Sequence, residues 1–130
     1  MKLLFYLLIL AGTSGANAYG ATPAELLNAY VSASGGTSPS AQRGEQFFTR
    51  AHGGQWSCAT CHGKPPTGEG AHVSTGKSIA PLAPAFNPER FTKASTVEKW
   101  FKRNCSDVLK RECTAGEKAD VMSYLLQLKR

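Results

Sequence analysis

Residues 58–62 read Cys58-Ala59-Thr60-Cys61-His62. Two thiols three residues apart share one side of a helical turn, and the imidazole that follows lies beside them. A Cys-x-x-Cys-His run is the attachment pattern of c-type haem, in which the thiols add to two vinyl groups and the histidine binds iron. The cysteine and histidine frequencies of this 130-residue chain, taken over every starting position, give only about 0.003 chance occurrences. The run therefore predicts one covalent haem with its iron, attached through Cys58 and Cys61 and ligated by His62. Two rivals need other surroundings. A thioredoxin-like dithiol wants a strand-helix-strand setting, and a structural zinc site wants a second closely spaced pair, whereas Cys105 and Cys113 are far wider apart.

Upstream of the motif, Lys2 precedes an almost wholly apolar run from Leu3 to Ala11, and Ala16-Asn17-Ala18 offers small residues at cleavage spacing. This is the pattern of a secretory signal peptide over 1–18. The run is about half the ~20 residues a membrane span needs, so no stable membrane insertion is expected after cleavage. The remainder, 19–130, is the size of one small domain, in which a cofactor supplements a thin core. Export to the periplasm sets an oxidising context, where paired thiols persist.

The full chain carries 15 basic and 9 acidic residues, a formal charge of +6. Lys99, Lys102, Arg103, Lys110, Arg111 and Lys118 crowd the last third. They either steer an acidic redox partner or are solvated helix faces. No interleaving of basic and aromatic residues suggests nucleic acid.

Around the motif the pattern is helical. Thr22/Glu25, Ser95/Glu98 and Thr114/Glu117 have capping-box spacing, in which a hydroxyl caps free amides and the Glu reaches back. Pro23 suits a first helical position, Leu26, Leu27 and Tyr30 follow, and Gly35-Gly36 ends the segment. A second helix starts near Pro39 or Ala41 and carries Gly44, Phe47 and Phe48 on one face. The third is expected to bury Val97, Trp100 and Phe101. The last, from about Ala115 to Leu128, has an apolar stripe of Val121, Tyr124, Leu125 and Leu128. Between Gly63 and Thr92 a Gly- and Pro-rich stretch without period reads as a long loop, of the kind that wraps a cofactor. No strand pairs are expected, and the class is all-α.

With Cys58 and Cys61 assigned to haem, Cys105 and Cys113 are left to pair as a disulfide in an oxidising compartment, free thiols being the alternative. The other side of the iron is less determined. Electron-transfer cytochromes often place a Met sulfur there, but after residue 18 the only methionine is Met122, inside the last helix. His52, at a helix end, and His72, in a polar loop, are possible ligands with quieter explanations. Asn104 precedes Cys105 at the expected end of the third helix. It reads either as a pinned weak ligand or as an ordinary helix-terminal residue.

The stretches Thr75-Gly76-Lys77-Ser78-Ile79-Ala80-Pro81-Leu82-Ala83-Pro84, Asn87-Pro88-Glu89-Arg90-Phe91-Thr92 and Trp100-Phe101-Lys102-Arg103-Asn104-Cys105 resemble the sphaeroides haem protein family. The likeness extends from Thr22-Pro23-Ala24-Glu25-Leu26-Leu27 through Arg111-Glu112-Cys113-Thr114 to Glu117-Lys118-Ala119-Asp120. It implies a class I cytochrome c-like fold, His62 and Asn104 as axial ligands of oxidised iron, and a Cys105–Cys113 disulfide beside the asparagine. It also implies that the asparagine leaves on reduction, exposing iron to oxygen, nitric oxide and similar small diatomic ligands. A dihaem cytochrome c is the implied electron donor. The related cytochrome c'' has histidine where this chain has Asn104. A neutral amide suits ferrous iron poorly, in keeping with such release. Arg103 is either a hydrogen-bond donor to a bound diatomic or a surface arginine. A plain electron carrier and a disulfide- or zinc-stapled structural module are the alternative functions.

Overall fold

Thr22 accepts from the Glu25 amide while the Glu25 carboxylate takes the Thr22 amide, so the first capping box forms and opens α1, Pro23–Ala33. The computed structural model describes residues 20–130, and the expected signal peptide lies outside them. Helix α2, Ala41–Thr49, starts at Ser40, whose side chain accepts from the Arg43 amide. The motif forms a short helix of its own, α3, Cys58–His62. Two longer helices follow, α4, Ala94–Leu109, and α5, Ala115–Gln127. The Thr114/Glu117 box opens α5 as expected.

The core sits where α5 lies across α2 and α1. Met122, Tyr124 and Leu125 of α5 are buried with Phe47 and Phe48 of α2 and with Leu26 and Tyr30 of α1. Gly44 permits the crossing: a Cβ there would stand 1.9 Å from the Asp120 carbonyl oxygen of α5. The same crossing is pinned outside by Asp120, which pairs with Arg43 at 2.8 Å and accepts from the Ser40 amide at 2.7 Å. Buried apolar area drives the packing and the partly covered ion pair fixes its register.

Among the described residues, no other helix packs along α4 as α2 and α1 pack on α5. It is joined to them through Phe101, edge-on to Tyr30 at 5.7 Å, and through Glu98, which accepts from the Tyr30 hydroxyl and from Lys118. The Cys105–Cys113 disulfide ties its second half to the start of α5.

Four expectations are corrected. Residues 63–92 are not wholly loop, because Gly70–Ala71 (β1) pairs antiparallel with Ser78–Ile79 (β2). Ser95 does not cap α4, which begins at Ala94 after Lys93; the Glu98 carboxylate is turned to Tyr30 and Lys118 instead. Trp100 is not buried but 44% exposed. Asn104 is not a helix-terminal residue, since α4 continues to Leu109 and ends on the left-handed Lys110. The all-α class stands, with five helices and one two-stranded pairing among the described residues.

Candidate haem site

The chain enters α3 through Ser57, whose amide donates to the Thr60 hydroxyl at 2.9 Å. This local bond gives the five-residue turn a start that its length could not otherwise stabilise. Gly63, at φ 85°, ends it and donates to the Ala59 carbonyl at 2.8 Å. Cys58 and Ala59 pack against the main core, and the His62 ring lies 6.2 Å from that of Phe48. The β1–β2 hairpin supports the turn from another side. At Gly70 a Cβ would come within 2.1 Å of the Cys61 carbonyl oxygen, so only glycine lets the strand rest there.

The chemistry of Cys58 and His62 is set by burial. Cys58 and Cys61 are unpaired thiols. Burial pushes the Cys58 thiol up to about 11, so it is neutral where a reactive dithiol would need a thiolate. Burial, with the charge of Arg90 as a second cause, pushes the His62 imidazole down to about 4. It is therefore neutral at physiological pH, the form in which imidazole binds a metal. Its Nδ1 is buried without a hydrogen-bond partner.

These residues fit a covalent haem better than the alternatives. No group of three or more His, Cys, Asp or Glu side chains among the described residues could hold a metal ion, so a zinc module lacks its ligand set. Haem brings four nitrogen ligands of its own and asks the chain only for thiols and an axial imidazole. Among the described residues, the large exposed apolar side chains are Trp56, Val73 and Trp100. Trp56 lies two residues before the motif, Val73 in the hairpin and Trp100 four residues before Asn104. Two surface cavities lie away from this chemistry. One of about 460 Å³ lies between Arg43, Glu117 and Asp120, and one of about 350 Å³ between Arg50, His52 and Arg111. Neither is lined by a motif residue or by Asn104.

Asn104 sits half-buried inside α4, one residue before the buried Cys105. It shares a helix face with Trp100 and Phe101, four and three residues earlier. The rival ligands are otherwise engaged. Nε2 of His52 is 2.8 Å from the Phe47 carbonyl, Nδ1 of His72 accepts from the Ser74 amide, and Met122 is fully buried in the core. Arg103 is exposed, with its guanidinium 5.7 Å from the Trp100 ring centroid. The residue that sequence reasoning missed is Arg90, which donates to the carbonyls of Pro81 and Ala80. Nothing in its neighbours' spacing marks it, because the contact depends on a fold of the aperiodic segment.

A family model described as a domain of unknown function (DUF1924) matches residues 34–125. The chain is 45% identical over 108 residues to cytochrome c-type protein SHP of Cereibacter sphaeroides, covering 80% of this chain and 82% of that one. It is 41% identical over 92 residues to cytochrome c'' of Methylophilus methylotrophus, covering 68% and 64%. The structure of oxidised SHP, described as an oxygen-binding cytochrome c, superposes with a TM-score of 0.75 over 82% of this chain and 96% of that one, at 45% identity. Oxidised cytochrome c'' superposes at 0.73 over 83% and 95%, at 35% identity, and its solution structure at 0.71 over 83% and 94%.

Helical fold, attachment motif and relatives together define a monohaem c-type cytochrome with one covalent haem c. Within that class the chain belongs to the SHP and cytochrome c'' family.

Proposed function

We propose that Cys58 and Cys61 would bond the haem, that His62 would ligate its iron, and that Asn104 would be a second, weaker ligand of the ferric state that is released on reduction. Release of Asn104 would leave the iron open to oxygen, nitric oxide or a similar diatomic. Bound haem supplies a one-electron iron centre with room for such a ligand. The neutral His62 imidazole offers its lone pair without first losing a proton. Asn104 offers a carbonyl oxygen that carries no charge to hold it to the less positive metal. The observation that carries the reading is the placement of Asn104 inside α4, directly before the disulfide-tied Cys105. A weak ligand is useful only if its backbone returns it to the same place after each release.

Support from relatives points the same way. SHP is described as an oxygen-binding cytochrome c, and the solution structure of cytochrome c'' addresses haem-ligand detachment in that protein. We place the protein in the periplasm after loss of residues 1–18, as a single domain taking electrons from a dihaem cytochrome c. No helix among the described residues is long and apolar enough to cross a membrane. A plain electron carrier closed by Met sulfur has no support from Met122, which packs in the core.

The test is a pair of substitutions. Asn104→Ala is expected to keep its haem, change the ferric spectrum and admit added ligands more readily. Asn104→His is expected to close the site and slow carbon monoxide uptake by the ferrous form. If neither variant differs from the parent in ferric spectrum or ferrous uptake rate, Asn104 is not a ligand.

A further inference from the structure

Helix α4 carries two neighbouring ridges, and the core uses one of them. Val97, Phe101, Cys105 and Leu109 recur every fourth residue; Val97 and Cys105 are buried in the core, and Phe101 and Leu109 pack against it. The adjacent row, also every fourth residue, is Trp100, Asn104 and Val108. Trp100 is exposed and Val108 half-buried, and among the described residues neither belongs to the core cluster or packs against it. Asn104 is thus flanked, one turn ahead and one turn behind, by apolar side chains that the fold does not use. The indole is nevertheless held. Lys99 Nζ and Arg103 Cζ each stand 5.7 Å from its ring centroid, within cation–π range.

Where this row would stand relative to iron follows from Asn104. Side chains project outward from a helix axis, whereas an axial ligand lies along the normal to the haem ring. Asn104 is inside α4 rather than at its end, so an axis that brought it to iron would run across the ring and not into it. Trp100 and Val108, each four residues away, would then lie about 6 Å along that axis to either side, over the macrocycle rather than beyond its rim.

We infer, resting on the reading of Asn104 given above, that Trp100 determines which ligands reach the iron. With Val108 it walls the room that Asn104 would leave, so that a diatomic enters and a bulkier ligand of like chemistry is turned away. Lys99 and Arg103 keep the indole from swinging clear. An apolar wall on each side suits a neutral diatomic, which carries no charge that burial would leave unpaired.

The experiment titrates the ferrous holoprotein and its variants with carbon monoxide and with n-butyl isocyanide, which binds ferrous iron through carbon in the same way but trails an alkyl chain. The readout is the ratio of the two affinities, which a general loss of stability does not move. Trp100→Ala is expected to raise the isocyanide-to-carbon monoxide ratio about tenfold. Trp100→Phe, which keeps an aromatic wall, should stay nearer the parent. Lys102→Ala is the control: Lys102 is exposed and, two residues before Asn104, stands on the far side of α4, so the ratio should not change. Should Trp100→Ala not take up haem, Trp100→Leu and Val108→Ala carry the same expectation. A ratio in these variants equal to the parent's, or an equal rise in Lys102→Ala, would show Trp100 to be only a surface aromatic. A ferrous parent that takes neither ligand would overturn the Asn104 reading and this inference with it, whereas carbon monoxide uptake by the parent with an unchanged ratio across the variants would overturn this inference alone.

Discussion

Burial decides the chemistry of the motif thiol and imidazole before any cofactor is considered. A Cys58 thiol pushed up to about 11 is slow to oxidise, which suits a residue waiting to form a thioether rather than one cycling through disulfides. Each thiol is expected to make its own bond. Cys58→Ser and Cys61→Ser should each retain haem through the remaining thioether, whereas the double variant should release all of it into acid solvent. Mass measurement of the denatured chains checks this, and a double variant that keeps covalent haem would move the attachment elsewhere. The motif residues were readable because they are contiguous. Arg90 was not, because its partners are carbonyls ten and nine residues away, brought near by turns that leave no period in the sequence.

Among the elements, the hairpin and the disulfide are the parts that hold the site in place. Gly70→Ala would set a Cβ 2.1 Å from the Cys61 carbonyl, a backbone atom with no rotamer to escape into. The hairpin or α3 must shift, at a cost of about 1–3 kcal/mol. The expected result is lower stability and a lower yield of haem-loaded protein, and unchanged values of both would contradict the packing. Replacing Cys105 and Cys113 by serine reopens a short loop and is expected to cost about 2–3 kcal/mol in denaturant titrations. It should also broaden the ferric spectrum if Asn104 depends on that anchor. Capping boxes made α1 and α5 legible, because Thr22/Glu25 and Thr114/Glu117 both close locally, the Glu117 carboxylate keeping its box while it also pairs with Arg111. The same spacing at Ser95/Glu98 failed. Tyr30 and Lys118 compete for the Glu98 carboxylate, and tertiary bonds outweigh a local cap. That failure concealed the earlier start of α4, while the αL residue Lys110 placed its end five residues beyond Asn104. A two-residue strand is too short for alternation to show, so the hairpin was invisible as well.

At the scale of the molecule, α4 is held to the bundle by the apolar contacts of Val97 and Phe101, a polar knot at Glu98 and the Cys105–Cys113 disulfide. Burial works to raise the Glu98 carboxyl, but hydrogen bonds from Tyr30 and Lys118 and the Lys118 charge outweigh it and hold it below its ordinary value. A carboxyl depressed in the folded state stabilises above its unfolded pKa, and that contribution is lost as pH falls through the folded value. Glu98→Gln should therefore lower the denaturation midpoint at neutral pH, and the gap to the parent should close on acidification below about pH 4. A gap independent of pH would mean that Glu98 acts through packing alone. The pieces of sequence that name the cofactor thus lie in one short helix, and those proposed to gate it lie in a helix attached elsewhere. The central claim joins the two, and visible spectra taken in the ferric state, after reduction, and after reduction under carbon monoxide test it most directly. The account predicts a low-spin ferric spectrum, a ferrous spectrum that shows loss of one axial ligand, and a rapid further change on adding carbon monoxide. A low-spin ferrous spectrum that carbon monoxide leaves untouched would contradict it.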